Sequence, residues 1–301
     1  MDEKLIRVLK KALRKTTTSR IDKLFDLASS EQSSISEIKY ASNKILELQL
    51  TVSIPVLSHH WYRARPISFP HTEIDTLDKL LEPPADKCRP GRCNLEGKPC
   101  LYLTNNPQAL VKEAQVGVSE DFIMLQFDKI PDEKMGLPLI FLGVSRKHLA
   151  NPHKLDTSYE ELIVNSLDKQ YEKHLYIETK LHEAFVAESN DTLTYRFTSI
   201  LVDNLMETPG IAGIYYPSIA TSGTAKNLAL LPGQIFNKFN AKKAFYYKSV
   251  GTSEWELSDS AVIDDNNIVR WGYKVDPDLP KPIGVKKINP SDPDIFIAPW
   301  K

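Results

Sequence analysis

The hydrophobic period of the chain changes near residue 54, and that change limits what it can fold into. In residues 3–14, Leu5, Ile6, Leu9 and Leu13 recur at helical spacing, with Lys4, Arg7, Lys10, Lys11 and Arg14 on the remaining surface. The apolar face of this basic helix is short and lacks aromatics, which favours packing on its own protein over a lipid or nucleic-acid surface. The polar run SSEQSSIS at 29–36 is a break. A second helix follows to about Leu50, with Ile38, Ile45 and Leu48 on a half-buried face. From Ile54 the pattern becomes short strand-like runs divided by Pro and Gly, beginning with HHWYRARPISF. Residues 1–52 are thus expected to form a helical N-terminal appendage, and residues 53–301 the main domain.

Within that domain FIMLQF, LPLIFLGV, IAGIYYPSI and NLALLP read as strands, as do KKAFYYKSVG and SAVIDDNNIVRWGYKV, the last turning at 264–267. One helix is expected from Pro107. Another opens at a Thr157 or Ser158 cap, with Leu162, Leu167, Leu175 and Leu181 toward the core. A third spans about Tyr195 to Met206, where Pro209 and Gly210 stop it. This mixture predicts an α+β fold. Trp255 and Trp271 are expected in core or hairpin packing.

With 42% hydrophobic and 26% charged residues among 301, the chain can bury a sizeable core. A formal net charge of -1 gives no whole-chain attraction to nucleic acid or to an anionic membrane, so a small molecule or a protein is the expected partner. No apolar run is long enough to cross a bilayer, and the basic start leads into KALRKTTTSR rather than a signal-peptide core. The cytoplasm is therefore the expected compartment. Cys88, Cys93 and Cys100 are odd in number, clustered and not at zinc-pair spacing, which points to free thiols. His59 and His60 would face opposite ways in a strand, and KLHEAF around His182 lacks the second histidine of a zinc-protease helix. No metal is expected.

The polar residues that need explaining cluster in two places. Trp61, Arg63 and Arg65 fall on one side of an extended strand, where paired guanidinium groups can grip a pyrophosphate; the simpler alternative is an edge strand with solvated arginines. The segment GRCNLEGKPCLYLTNNPQALVKEA at 91–114 carries Arg92, Asn94, Tyr102 and Glu113 around a short apolar strand. On the plain reading of its helix, Leu110, Val111 and Ala114 cover the core while Lys112 and Glu113 face water. Further on, Ser218 stands where a strand ends. It lacks the Gly-x-Ser-x-Gly setting of a hydrolase nucleophile and suits a hydrogen bond to a ligand better.

WYRAR at 61–65, GRCN at 91–94, CLYLT at 100–104, Glu113 in ALVKEA, and GIYYPSI followed by NLALLP together resemble the RES-domain family over about residues 55–240. The resemblance implies an ADP-ribosyltransferase-like mixed β core with flanking helices. It implies an NAD phosphorylase or NAD glycohydrolase, cleaving NAD between nicotinamide and ribose with inorganic phosphate or water, as the toxin of a toxin–antitoxin pair with an antitoxin protein as partner. On this resemblance Glu113 would hold the ribose and offset its developing charge, and Arg63, with Arg65 and Arg92, would bind the phosphates. Tyr102 would face the nicotinamide, Ser218 would position ribose or phosphate, and Asn94 would contact the substrate. Arg63 and Arg65 both suit the first arginine of the family, Arg63 better. Cys93 stands where a larger, often aromatic residue is expected, and DTLDKLLEPPADKC lengthens the interval before GRCN as a lid or a partner-binding insertion. No cofactor is implied beyond NAD as substrate, and the oligomeric state is open. Two other classes stay open: a transferase that attaches ADP-ribose to a macromolecule, and an inactive nucleotide-binding or interaction module.

Overall fold

The structure, a computed structural model, describes residues 3–49, 60–130, 137–144, 161, 163–187, 192–221, 225–251, 254–273 and 287–288. Its helices include α1 (Glu3–Lys15), α2 (Thr18–Ser29), α3 (Ile35–Leu46), α4 (Leu110–Glu113), α5 (Tyr171–Val186) and α6 (Thr192–Met206). Its strands are β1 (His60–Ile67), β2 (Leu101–Thr104), β3 (Asp121–Lys129), β4 (Leu139–Phe141), β5 (Gly213–Pro217), β6 (Lys226–Leu230), β7 (Phe239–Gly251), β8 (Glu254–Ile263), β9 (Val269–Trp271) and β10 (Lys287–Ile288). Helices and a mixed set of strands make an α+β fold. Among the described residues no helix is long and apolar enough to cross a membrane. The proposed Thr157 or Ser158 cap and Leu162 lie outside the described residues.

The chain divides into two compact units, one of Met1–Leu57, Pro83–Leu101 and Glu133–Asn237, the other of Ser58–Glu82, Tyr102–Asp132 and Lys238–Lys301. This grouping differs from a linear split after residue 52, because the N-terminal helices share a core with α5 and α6. Phe25 of α2 meets Phe197 of α6 edge-on at 5.9 Å. Lys173 of α5 donates to the Leu13 carbonyl at 2.7 Å, and Lys180 pairs with Asp22 at 3.1 Å.

Local signals explain the starts of these helices. Ser34 accepts the Glu37 N–H at 3.3 Å while the Glu37 carboxylate accepts the Ser34 N–H at 2.8 Å, a capping box inside the polar break. Thr17 caps α2 by accepting the Arg20 N–H at 3.2 Å. The helix α2 itself was not expected, although Ile21, Leu24, Phe25 and Ala28, all buried, follow helical spacing. In the same unit β5 lies between β4, parallel, and β6, antiparallel. Gly213 is required there, since a Cβ would stand 2.3 Å from the Ala229 carbonyl oxygen.

The second unit is an antiparallel run in the order β10, β8, β7, β3, β1, β2, with β9 also on β8. Tyr62, Ala64, Leu110, Val111, Phe122, Met124, Phe245, Tyr247 and Trp255 form its core cluster, so α4 packs on the Tyr62 and Ala64 face of β1. Burying Leu110 and Val111 contributes about 1.5–3 kcal/mol each and holds a one-turn helix that is too short to persist alone. Phe122 stacks on Tyr247 at 4.8 Å and meets Trp255 at 6.0 Å. Trp255 is buried with its indole N–H on the Glu120 carbonyl at 2.6 Å, the core packing expected of it.

Candidate functional site

Strand β1 is flanked by β3 along its whole length and by β2 at Tyr62 and Thr104. Its arginines are therefore not the solvated groups of an edge strand. The pleat sends Tyr62 and Ala64 to the α4 face and Arg63 and Arg65 to the opposite one, where both are half-buried. Arg63 donates through Nε to the Leu80 carbonyl at 3.0 Å and through Nη1 to the Tyr102 carbonyl at 3.5 Å. Arg65 donates through Nη1 to the Lys79 carbonyl, and burial pulls its guanidinium below the ordinary arginine value. Of the two, Arg63 alone reaches the tyrosine strand by a bond of this kind.

Tyr102 is half-buried on β2. Asn106 then caps the following turn by accepting the Gln108 N–H at 3.0 Å, Pro107 opens it, and α4 delivers Glu113. Glu113 is half-buried whereas Lys112 is exposed, so only the lysine matches the plain water-facing reading. The helix ends with Gln115 at φ 52 and the Val116 N–H on the Val111 carbonyl at 3.0 Å, the left-handed C-terminal turn that glycine favours. Because α4 covers the Tyr62 and Ala64 face, the Arg63 guanidinium and the helix that carries Glu113 stand on opposite sides of β1. The β1–β2 ladder is one pair long at Tyr62 and Thr104. A ligand touching both groups would have to run past the end of that ladder.

Arg92, Asn94 and Ser218 belong to the other unit. The Arg92 guanidinium donates to the Ala184 and Ala187 carbonyls, each at 3.0 Å, and lies 4.9 Å from the Tyr195 ring centroid. It thus caps the C-terminus of α5, where the last carbonyls and the helix dipole favour a cation. Asn94 is buried, and its amide nitrogen donates to the Arg89 and Leu95 carbonyls at 2.9 and 3.0 Å and to the Cys88 sulfur at 3.3 Å. Both side chains hold the GRCN loop in shape. Ser218 is fully buried, its N–H on the Ala225 carbonyl at 3.0 Å, continuing the β5–β6 pairing beyond Pro217.

Sequence reasoning did not select Lys226, which opens β6 and is fully buried. A lysine leading an apolar strand is the only local signal, and it also fits a solvated strand end. His182 docks α5 on the loop after β4 through Nδ1 and the Gly143 carbonyl at 2.9 Å. Burial, and secondarily the Lys226 charge, pull its pKa down against that bond. All three cysteines are buried and unbridged, and burial raises the Cys88 thiol. Among the described residues no three His, Cys, Asp or Glu side chains are grouped to hold a metal ion.

No family model and no curated protein matches the chain.

Proposed function

We propose that this protein cleaves the bond between nicotinamide and ribose in NAD, releasing nicotinamide to water or inorganic phosphate as acceptor. The observation that carries the reading is the Arg63 guanidinium fixed on the Tyr102 carbonyl, with Glu113 across β1 on the short helix after the tyrosine strand, so that NAD would reach both past the end of the β1–β2 ladder. Nicotinamide is already a cationic leaving group, so catalysis needs stabilisation of an oxocarbenium-like ribose and a positioned nucleophile. Glu113 supplies the negative charge beside that ribose, and Arg63 binds the diphosphate. Tyr102 offers an aromatic face to the nicotinamide ring.

Ser218 enters through the resemblance to RES domains alone, as do the ADP-ribosyltransferase-like description of the fold, the toxin role and the antitoxin partner. Arg65 stands beside Arg63 on the same face of β1 and supports it there, whereas Arg92 and Asn94, whose side-chain donors hold a helix end and a loop of the other unit, enter as substrate contacts through the resemblance alone. The test is proton NMR of NAD incubated with the purified protein, with and without phosphate, beside Glu113→Gln. Free nicotinamide with ADP-ribose indicates hydrolysis; a phosphate-dependent anomeric phosphate indicates phosphorolysis. Intact NAD under both conditions, or a Glu113→Gln protein with full turnover, overturns the reading.

A further inference from the structure

The Leu80 carbonyl, one of the two that hold Arg63, and the Lys79 carbonyl that holds Arg65 come from a segment, residues 70–81, with little regular structure of its own. Ile74, Leu77 and Leu80 are buried, but short 3-10 turns at His71–Glu73 and Leu77–Leu80 cannot hold a backbone in place without outside bonds. Those bonds come from the β8–β9 hairpin. The Trp271 indole N–H donates to the Ile74 carbonyl at 2.8 Å, the Val269 N–H to the Asp75 carbonyl at 2.8 Å, and the Leu77 N–H to the Asn267 carbonyl at 2.9 Å. Thr76 and Ile268 form an isolated bridge. At the far end His71 Nε2 meets Asp259 at 2.9 Å, and its ring is stacked on Tyr246 at 4.0 Å and edge-on to Trp271 at 4.8 Å.

We propose that residues 70–81 form a strap that fixes the Arg63 guanidinium, with Trp271 and His71 as the side-chain anchors that make it rigid. Both are positioning residues for NAD, a role that rests on the NAD-cleaving reading above. Trp271 lies in the C-terminal strands, beyond the stretch that resembles RES domains, so those strands act on the site through the strap. A guanidinium held by two carbonyls keeps one plane, and a diphosphate is recognised by planar paired donors. Loosening the strap lets that plane rotate and weakens binding while leaving the bond-breaking step in place.

Two measurements on the full chain test this. In Trp271→Phe the ring remains against His71 and only the indole donor is lost. Nitrogen-15 NMR of arginine Nε–H groups, with the Arg63 signal identified by its absence in Arg63→Lys, is expected to show solvent exchange about tenfold faster in Trp271→Phe than in wild type. Unchanged exchange overturns the strap. In NAD turnover, KM is expected to rise about fivefold with kcat within about twofold, and Trp271→Phe added to Arg63→Lys is expected to raise KM no further. A fall in kcat alone, or additive effects, overturns the positioning role. His71→Ala, which releases the other end, is the second variant and is expected to change both readouts in the same direction. If wild type leaves NAD intact, the functional reading fails, and Arg63 exchange still decides the strap.

Discussion

Arg92 was expected on the substrate and is found on a helix terminus, so Arg92→Ala separates the two roles. The side chain makes two charge-assisted bonds of 3.0 Å and a cation–π contact at 4.9 Å. A fully buried bond of this kind is worth about 1.5–3 kcal/mol, but Arg92 is half-exposed and water can replace it, which brings each nearer to about 1 kcal/mol. The ring contact adds about 0.5–1 kcal/mol. The expected loss is therefore about 2.5–3 kcal/mol, or roughly 5–12 °C in the melting temperature of the unit that contains α5. Arg92→Lys retains the charge but can reach one carbonyl at a time, and should recover about half of the loss. Thermal and urea unfolding followed by circular dichroism measure both variants. If Arg92→Ala melts within about 1 °C of wild type while NAD binding falls, the capping argument is refuted and the substrate role is restored.

Gly143 has φ 66, and a Cβ there would lie 2.7 Å from the His182 backbone nitrogen, so Gly143→Ala should destabilise by about 2–4 kcal/mol in urea unfolding. Gln115→Gly, at φ 52 on an exposed turn, should stabilise by about 0.5–1 kcal/mol, and a lower melting temperature would count against the strain assigned to that turn. Trp255→Phe keeps an aromatic ring but leaves the Glu120 carbonyl without its indole donor, and a loss of about 1–2 kcal/mol is expected by the same assay. His174 is fully buried, and desolvation takes its pKa down to about 4. The unfolded chain therefore binds the proton first, and stability is full above about pH 6.5 and falls as pH drops toward 4. The total is about 3 kcal/mol. His174→Gln should flatten that slope, and an unchanged slope would remove His174 as its source.

What the sequence by itself determined were features set by neighbours along the chain. The change of period at residue 54 marked helices before strands, and the polar run around Ser34 and Glu37 contained a capping box that forms as a local unit. Pro107 opened a turn, and the run between Ile263 and Val269 turned where Asp264 and Asn267 suggested, with Asn267 at φ 62. Helix α2 is equally legible, since its apolar spacing is regular. The alternation of β1 placed Arg63 and Arg65 on one side correctly, because the period of two is a property of any strand.

Only the tertiary structure decided which partners those side chains have. Arg92 takes carbonyls 92 and 95 residues away, Trp271 takes one 197 residues away, and the units interleave separate stretches of the chain. Such contacts leave no periodic trace, because nothing in the local pattern of either segment depends on the other. The same holds for Lys226, whose burial is set by the elements packed around β6 and not by its neighbours in sequence. Propensity and periodicity fix what a segment becomes; the choice of partner is made when the segments pack, and there the entropy of closing long loops is offset only by the joint burial of many groups.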